Sequence, residues 1–309
     1  MPSNTYNPSI DQGAKLNFID SFYELAQQTK SRLVATGAIK WLPSKGKTNN
    51  MARIGRLELA EVATRNPDKQ YGDYALDNRQ FSKRRFTRTV TIDAKFDINE
   101  LLKDPTSDIL TQLDHAKERV IDRVAVARAI GDVLVGAPDA APASISAATD
   151  GVLTIDATAG LAYSHIQKLT QNYINNDVEL QQALKSTLCL TGKENTALMN
   201  EDKFINSRYI SGQPVEDGYM KKAGAFPIVL FAGSENGGIQ VQSPILPEGT
   251  TTRSCVSLAP ESIAMAMEIG DVGVEKSATK VNSFDITIDL WINAMRTEGV
   301  KVQIITATM

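Results

Sequence analysis

The chain has 309 residues, of which 42% are hydrophobic and 22% charged, so its composition is that of a globular protein and not of a disordered or fibrous one. It contains only 2 His and 2 Cys, which argues against structural zinc, haem or a disulfide framework. Its 33 Lys and Arg against 36 Asp and Glu leave a net charge of −3, so any binding of nucleic acid must rest on a local basic surface.

Residues 1–37 are expected to form an N-terminal arm and a helix. The first 13 residues lack the basic region and apolar core of a signal peptide, and their Asn, Ser and Pro predict a flexible arm. Apolar side chains then recur three and four residues apart over residues 14–35, which predicts a helix that ends before Gly37. Apolar runs elsewhere are too short to span a bilayer, so we expect a soluble product of a reducing cytoplasm with no membrane contact.

Residues 38–98 are predicted to form an extended β-hairpin loop. Gly and Pro separate short extended stretches, and residues 86–96 alternate apolar with polar side chains, as a half-exposed strand does. Residues 40–95 carry 13 Lys or Arg against six Asp or Glu, a net charge of +7.

The basic run in this loop has more than one interpretation. It could bind phosphates or an acidic partner, or it could be a solvated strand edge protected against aggregation. Acids are interleaved with the bases and no aromatic side chains stand within the run to stack on nucleotides, which favours ion pairs between subunits. The candidates for intersubunit contact are Arg53, Arg56, Lys83, Arg84, Arg85 and Arg88.

Residues 99–150 contain the best-defined helix of the sequence. Asp104 is a candidate N-cap, Pro105 suits the first helical position, and Gly136 and Pro138 end the pattern. A helix of some 30 residues would be about 45 Å long, so a large part of the molecule must lie along it. The Ala-rich and Pro-containing residues 138–151 then predict a poorly structured connection.

The remainder of the chain predicts mixed α and β structure. Over residues 151–270 we expect helices at 161–174 and 193–200, buried strands at 187–191 and 226–232, and a long loop at 233–249. In residues 271–309, apolar side chains alternate over 284–292 and again from Val300 to Ile304, with Glu298 and Gly299 between them. This pattern predicts a terminal β-hairpin.

The sequence contains no pattern that predicts catalysis or ligand binding. Gly46-Lys47-Thr48 fails as a phosphate loop because Trp41 stands where the motif needs Gly. His115 and His165 each lie in a predicted helix without a second ligand nearby, and the two cysteines fall in apolar surroundings. We therefore expect no catalytic, cofactor-binding or metal-binding residues, no cofactor, and no enzyme activity.

The order of these elements resembles the major capsid proteins of tailed bacteriophages, which have the fold named after phage Hong Kong 97. The local features that carry the resemblance are the long helix that follows the β excursion and the ending from Ser283-Phe284 through Met295-Arg296-Thr297-Glu298-Gly299-Val300. The resemblance implies an α+β capsid fold. Its parts would be an N-arm (1–37), an extended loop (38–98), a peripheral domain with a spine helix (99–150), an axial domain (151–270) and returning strands (271–309).

The resemblance also implies a function. The chain would assemble into pentamers and hexamers of an icosahedral phage head, as a structural protein of the virion built in the host cytoplasm. Its partners would be further copies of itself, a separate scaffolding protein, a portal, a decoration protein and non-specifically packaged double-stranded DNA. The alternatives are an encapsulin-type nanocompartment shell and an enzyme that processes nucleic acid.

Overall fold

A computed structural model describes residues 27–43, 46–59, 61, 72–93, 106–136, 141–179, 185–201, 219–231 and 252–308, and the structural statements below concern these residues. Their three α-helices are α1 (Thr106–Ile130), α2 (Tyr163–Asn175) and α3 (Gly192–Met199). Their strands, in chain order, are β1 (Ile39–Trp41), β2 (Thr48–Ile54), β3 (Leu76–Ser82), β4 (Arg84–Asp93), β5 (Val133–Gly136), β6 (Ala143–Ile145), β7 (Leu153–Asp156), β8 (Thr187–Thr191), β9 (Lys222–Ala223), β10 (Phe226–Phe231), β11 (Thr252–Leu258), β12 (Ile263–Lys276), β13 (Ser283–Arg296) and β14 (Val302–Thr308).

A long four-stranded sheet has the order β1-β12-β13-β4. Strand β13 pairs antiparallel with β12 on one side and with β4 on the other, where Arg84 lies opposite Ile292 and Asp93 opposite Ser283. The predicted alternation in β4 is confirmed. An extended β excursion cannot bury both of its own faces, so Ile92 would be expected to need cover from a neighbouring subunit. Instead it is buried with Leu113 of α1, so this chain's own helix supplies the cover.

A six-stranded mixed sheet, in the order β7-β14-β11-β8-β10-β9, holds the main core. Every residue of β8 is buried, as its apolar centre Leu188-Cys189-Leu190 predicts. Helix α2 lies against this sheet through Leu169 and Tyr173, and the Tyr173 hydroxyl lies 3.0 Å from Ser257 Oγ. The predicted helices at 161–174 and 193–200 are confirmed within one or two residues at each end.

The third sheet has the order β2-β3-β5-β6 and contains the predicted hairpin. Strands β2 and β3 pair antiparallel from Thr48 opposite Ser82 to Ile54 opposite Leu76. Only Lys83 separates β3 from β4, so the second half of the predicted loop continues directly into the long sheet. The boundary expected after residue 270 falls inside β12, which runs unbroken from Ile263 to Lys276 apart from a bulge.

Three predictions of secondary structure are wrong. The predicted terminal hairpin does not form: β13 pairs with β12 and β4, whereas β14 pairs with β11 and β7 in the six-stranded sheet. A short 3-10 helix, Gly299–Lys301, carries the chain from one sheet to the other. The long helix ends at Ile130, and β5 follows where helix was expected. Residues 27–33 are not helical, although the rest of the predicted helix at 14–26 lies outside the described residues.

Two further expectations concern regions that the structure describes in part or not at all. The connection at 138–151, expected to be poorly structured, contains β6 and a turn at 147–151. The N-cap residues Asp104 and Pro105 and the predicted loop at 233–249 lie outside the described residues.

Candidate assembly surface

The outer end of the β2–β3 hairpin presents apolar side chains to solvent. Ile54 and Leu76 face each other in register, and both are exposed. Leu57 and Leu59 follow β2 and are also exposed, Leu59 completely, and Tyr74 lies exposed just before β3. Single exposed apolar residues are ordinary on protein surfaces, whereas a cluster of them marks a contact site. We call these five residues the hairpin tip.

The hairpin is fixed to the body of the subunit by a buried ion cluster. Arg79 of β3 and Arg296 of β13 have exposed side-chain fractions of 1% and 0%, and both bind the carboxylate of Asp150. Arg79 Nη1 lies 3.0 Å and Arg296 Nε 3.1 Å from Asp150 Oδ2. Arg79 belongs to the third sheet and Arg296 to the long sheet, and Asp150 lies just before β7 of the six-stranded sheet. One carboxylate therefore joins all three sheets.

Arg296 also closes the C-terminal end of α1. Its Nη1 donates to the carbonyl oxygen of Ala129 at 2.9 Å and to that of Gly131. A cation at a helix C-terminus satisfies carbonyl groups that have no partner within the helix and opposes the helix dipole. Gly299 packs against the backbone of Asp150 in the same cluster. No larger residue can take its place, because a Cβ there would lie 1.9 Å from the carbonyl oxygen of Asp150. This cluster was not predicted from the sequence. The only signal for it in the sequence is Arg296, a charged residue at the buried end of β13.

Four of the six predicted contact residues form ion pairs within their own subunit, and two of these, Arg53 and Lys83, are the least exposed. Arg53 forms a two-pronged pair with Asp77 across the hairpin, with Nε–Oδ1 2.9 Å and Nη2–Oδ2 2.6 Å. This hydrogen bond from Arg53 lowers the pKa of Asp77. Lys83 is almost fully buried, at 2% side-chain exposure, and its ammonium binds Glu268 of β12. The prediction that these two residues face a neighbour therefore lacks support from their positions.

The other four predicted residues are exposed. Arg56 makes surface ion pairs with Glu58 and with Asp177, the latter just beyond α2. Arg85 pairs with Asp289 at 2.8 Å and lies over the Trp291 ring. Arg84 and Arg88 are exposed on β4, and neither has an ion-pair partner in the part of the chain that the structure describes. Surface pairs of this kind contribute little to stability, so these side chains remain available for other contacts.

Strand β4 lies at one edge of the long sheet. Among the described strands it pairs only with β13, which leaves its outer backbone groups without a strand partner. Arg84, Arg85 and Arg88 lie along this edge strand. Charged side chains on an edge strand discourage uncontrolled pairing, which is the role that the solvated-edge interpretation gives to this basic run.

A second exposed patch lies where β12 and β13 meet. Its apolar members are Ile269, Val272, Val274, Val281 and Phe284. Residues 268–289 also carry five Asp or Glu against two Lys, so the local charge is negative. Two of these acids, Glu268 and Asp289, bind Lys83 and Arg85 of the same chain. We call this region the acidic turn. Its charge is opposite to that of the hairpin loop.

Reactive groups in the described residues are buried or structurally engaged. Burial raises the pKa of the thiols of Cys189 and Cys255, which keeps both protonated and unreactive. Across the described ranges no group of three or more His, Cys, Asp or Glu could hold a metal ion. None of the helices described here is long and apolar enough to cross a membrane.

Comparison with known proteins agrees with this picture. The family model described as phage capsid protein matches residues 10–308. A search of curated proteins finds no significant match. Similar solved structures include the capsid of cyanophage P-SCSP1u, with 11% identity, TM-score 0.64, and coverage of 100% of this chain and 97% of that chain. The head of Helicobacter pylori bacteriophage KHP40 has 8% identity, TM-score 0.66, and 99% coverage of both chains.

The capsid of Ralstonia phage GP4 is a third similar structure, with 9% identity, TM-score 0.65, and coverage of 96% of this chain and 95% of that one. At these identities the likeness concerns the fold, and it extends over almost the whole of each chain. The α+β, Hong Kong 97-like fold class implied by the order of elements is confirmed. The match to the family model covers all but a few terminal residues, so the chain belongs to the phage capsid protein family.

Proposed function

We propose that this chain is the major subunit of an icosahedral phage head, in which pentamers and hexamers enclose double-stranded DNA. The observation that carries the proposal is the hairpin tip, whose large apolar side chains are exposed to solvent in the subunit. Leaving several large apolar side chains in water forgoes about 1.5–3 kcal/mol for each one that could be buried. A second copy that covers the tip in a closed shell recovers this free energy for every subunit.

The acidic turn of a neighbouring copy is a suitable partner for the hairpin loop. It offers exposed apolar side chains, such as Val272 and Phe284, beside an excess of carboxylates. The loop offers the apolar tip together with the exposed cations of Arg56 and Arg88. Two different surfaces that meet in this way form a heterologous contact, which closes into rings when the rotation between copies is right. Opposite charges would set orientation and register.

Of the predicted contact residues, the exposed Arg56, Arg84, Arg85 and Arg88 remain our candidates. The wider partners that the family resemblance implies are part of the same proposal: a separate scaffolding protein, a portal, a decoration protein and non-specifically bound DNA. We also propose the division into N-arm, extended loop, peripheral domain, axial domain and returning strands. Assembly would take place in the host cytoplasm, and no catalysis is proposed.

An encapsulin-type shell is the alternative within the same fold. The two differ in content, because a phage head encloses DNA whereas an encapsulin encloses protein. Purified source particles can be opened and treated with nuclease to distinguish these cases. We expect nucleotides to be released from a phage head. Particles that hold a protein cargo and no DNA would contradict the proposal.

The role of the hairpin tip is tested by assembly of purified subunits. We expect the double substitution Leu57→Asn and Leu59→Asn to leave the subunit folded, because neither side chain is buried, and to abolish closed shells in electron micrographs. Leu59→Met is the matched control, since it keeps an apolar side chain of similar size, and it should assemble. Normal shells from the double variant would refute the assignment of the tip as an intersubunit contact.

A further inference from the structure

The segment that precedes β1 is held on α1 by one buried carboxylate. Asp122, in the middle of the helix, has an exposed fraction of only 1%. Its Oδ2 accepts hydrogen bonds from Gln28 Nε2 at 2.5 Å and from the Arg32 backbone N–H at 2.9 Å. Its Oδ1 accepts from Ser31 Oγ at 2.6 Å and from the Leu33 N–H at 3.2 Å. Both oxygens are thus saturated by donors from a single short segment.

Neighbouring side chains of α1 hold the same segment. Glu118 Oε2 accepts from the Ser31 N–H at 3.1 Å. Arg119 Nη1 donates to Gln27 Oε1 at 2.7 Å and to the Gln28 carbonyl at 3.2 Å. These contacts come from residues 118–122, which is about one turn of the helix. They form a cradle for the chain that leads from the N-terminus into the body.

The segment also reaches the six-stranded sheet. Arg32 Nη1 donates to the carbonyl oxygen of Leu230 in β10, and its guanidinium lies 5.7 Å from the centroid of the Phe231 ring. Helix α1 itself lies along β13 of the long sheet. One short segment therefore ties the helix on the long sheet to an outer part of the six-stranded sheet.

The donors that reach Asp122 are two backbone N–H groups, a hydroxyl and an amide. A buried carboxylate is costly unless hydrogen bonds replace its lost water, and here four donors do so. An asparagine is a poor replacement, because in either orientation its NH₂ group would face a backbone N–H, which cannot accept a hydrogen bond. The site is therefore specific for a carboxylate.

We propose that Asp122 is a positioning residue for shell assembly: it fixes residues 28–33 on α1, so that the chain N-terminal to them leaves every subunit at the same point and in the same direction. A closed shell needs copies that present their contacts in one geometry. The proposal rests on the assembly function proposed above, and it concerns a residue that is buried and cannot itself touch a neighbour.

The test measures local order and assembly in the same full-length variants. In Asp122→Asn, hydrogen exchange at the Arg32 and Leu33 amides should rise about 10- to 100-fold, which corresponds to the loss of a hydrogen bond to a charged acceptor. Exchange in β13 should stay unchanged, and the yield of closed shells should fall. Ser31→Ala, which removes one donor, should give a smaller change in the same direction.

Asp114→Asn is the matched control, because it removes the same charge from an exposed position on the same helix, where Asp114 pairs with Lys117 at 2.6 Å. It should exchange and assemble as the wild type does. Fast exchange at residues 32 and 33 with normal shells would overturn the proposal, and so would unchanged exchange. If Asp122→Asn does not fold, Ser31→Ala supplies the same two readouts. Failure of the wild type to form shells would instead contradict the proposed function.

Discussion

Replacing Asp150 by Asn tests whether the buried ion cluster holds the three sheets together. The substitution keeps the size of the side chain but removes the carboxylate that binds both Arg79 and Arg296. Two guanidinium groups with at most 1% exposure would then lose the negative charge that contacts them directly. Breaking a buried pair by removing one partner costs about 3–5 kcal/mol. Burial already lowers the pKa of Arg296, which indicates how poorly its charge is solvated.

This cost converts into a shift that calorimetry can measure. A chain of 309 residues has an unfolding entropy of roughly 0.65 kcal/mol/K, so a loss of about 3–5 kcal/mol lowers Tm by about 5–8 °C. Asp132→Asn is the control, because Asp132 is exposed close to Arg296 and its replacement should change stability by less than about 0.5 kcal/mol. An Asp150→Asn subunit that melts within about 1 °C of the wild type would refute the reasoning.

Two further predictions concern the long helix and the hairpin. Val124 is buried in the interior of α1. We expect Val124→Pro to lower the free energy of unfolding by about 3 kcal/mol or more and to prevent shell formation. Normal shells from this variant would show that the helix is assigned wrongly. Because Arg53 lowers the pKa of Asp77, their pair stabilises the hairpin fully above the ordinary carboxyl pKa of about 3.9 and loses this effect as the pH falls through the lower folded value. The rate of hydrogen exchange in β2 and β3, corrected for its intrinsic pH dependence, should therefore increase in acid. Asp77→Asn should abolish this increase. A variant that still shows the full increase in acid would contradict the assignment of the effect to the Arg53–Asp77 pair.

Local patterns predicted the elements in which one face is buried or the whole element is apolar. Strand β4 alternates visibly, and β8 has an apolar centre, so both were found. Strand β12 was missed because its apolar start at residues 263–267 is followed by Gly270, Asp271 and Gly273, which resemble a loop. Its bulge near Gly270 explains these residues, since the Asp289 side chain comes within 3.0 Å of the position a Cβ would take.

The pairing of strands could not be obtained from local patterns. Strands β13 and β14 are adjacent in sequence and both alternate, which favours a hairpin, but their pairing depends on distant strands with which each shares a longer register. The buried charges escaped prediction for a related reason. By its spacing along the helix, Asp122 should lie on the surface. It is a buried acceptor only because residues 28–33, which come much earlier in the chain, pack over the helix at this point.

The contact candidates show the same limit. Charge density singled out the basic loop, but it could not distinguish Lys83, which is buried against Glu268, from Arg88, which is exposed. Ile54, Leu57 and Leu59 of the hairpin tip are exposed, as an extended excursion that cannot bury its own faces would leave them in an isolated subunit. These residues, more than the cations, now define the surface to be tested.

Electron cryo-microscopy of the particle that this chain forms is the most direct test of the account. We expect a closed icosahedral shell of pentamers and hexamers in which a second copy covers Leu57 and Leu59, with carboxylates of its acidic turn near the exposed arginines of the loop. A protein that remains monomeric or dimeric, or a shell in which the hairpin tip stays open to solvent, would contradict the central claim.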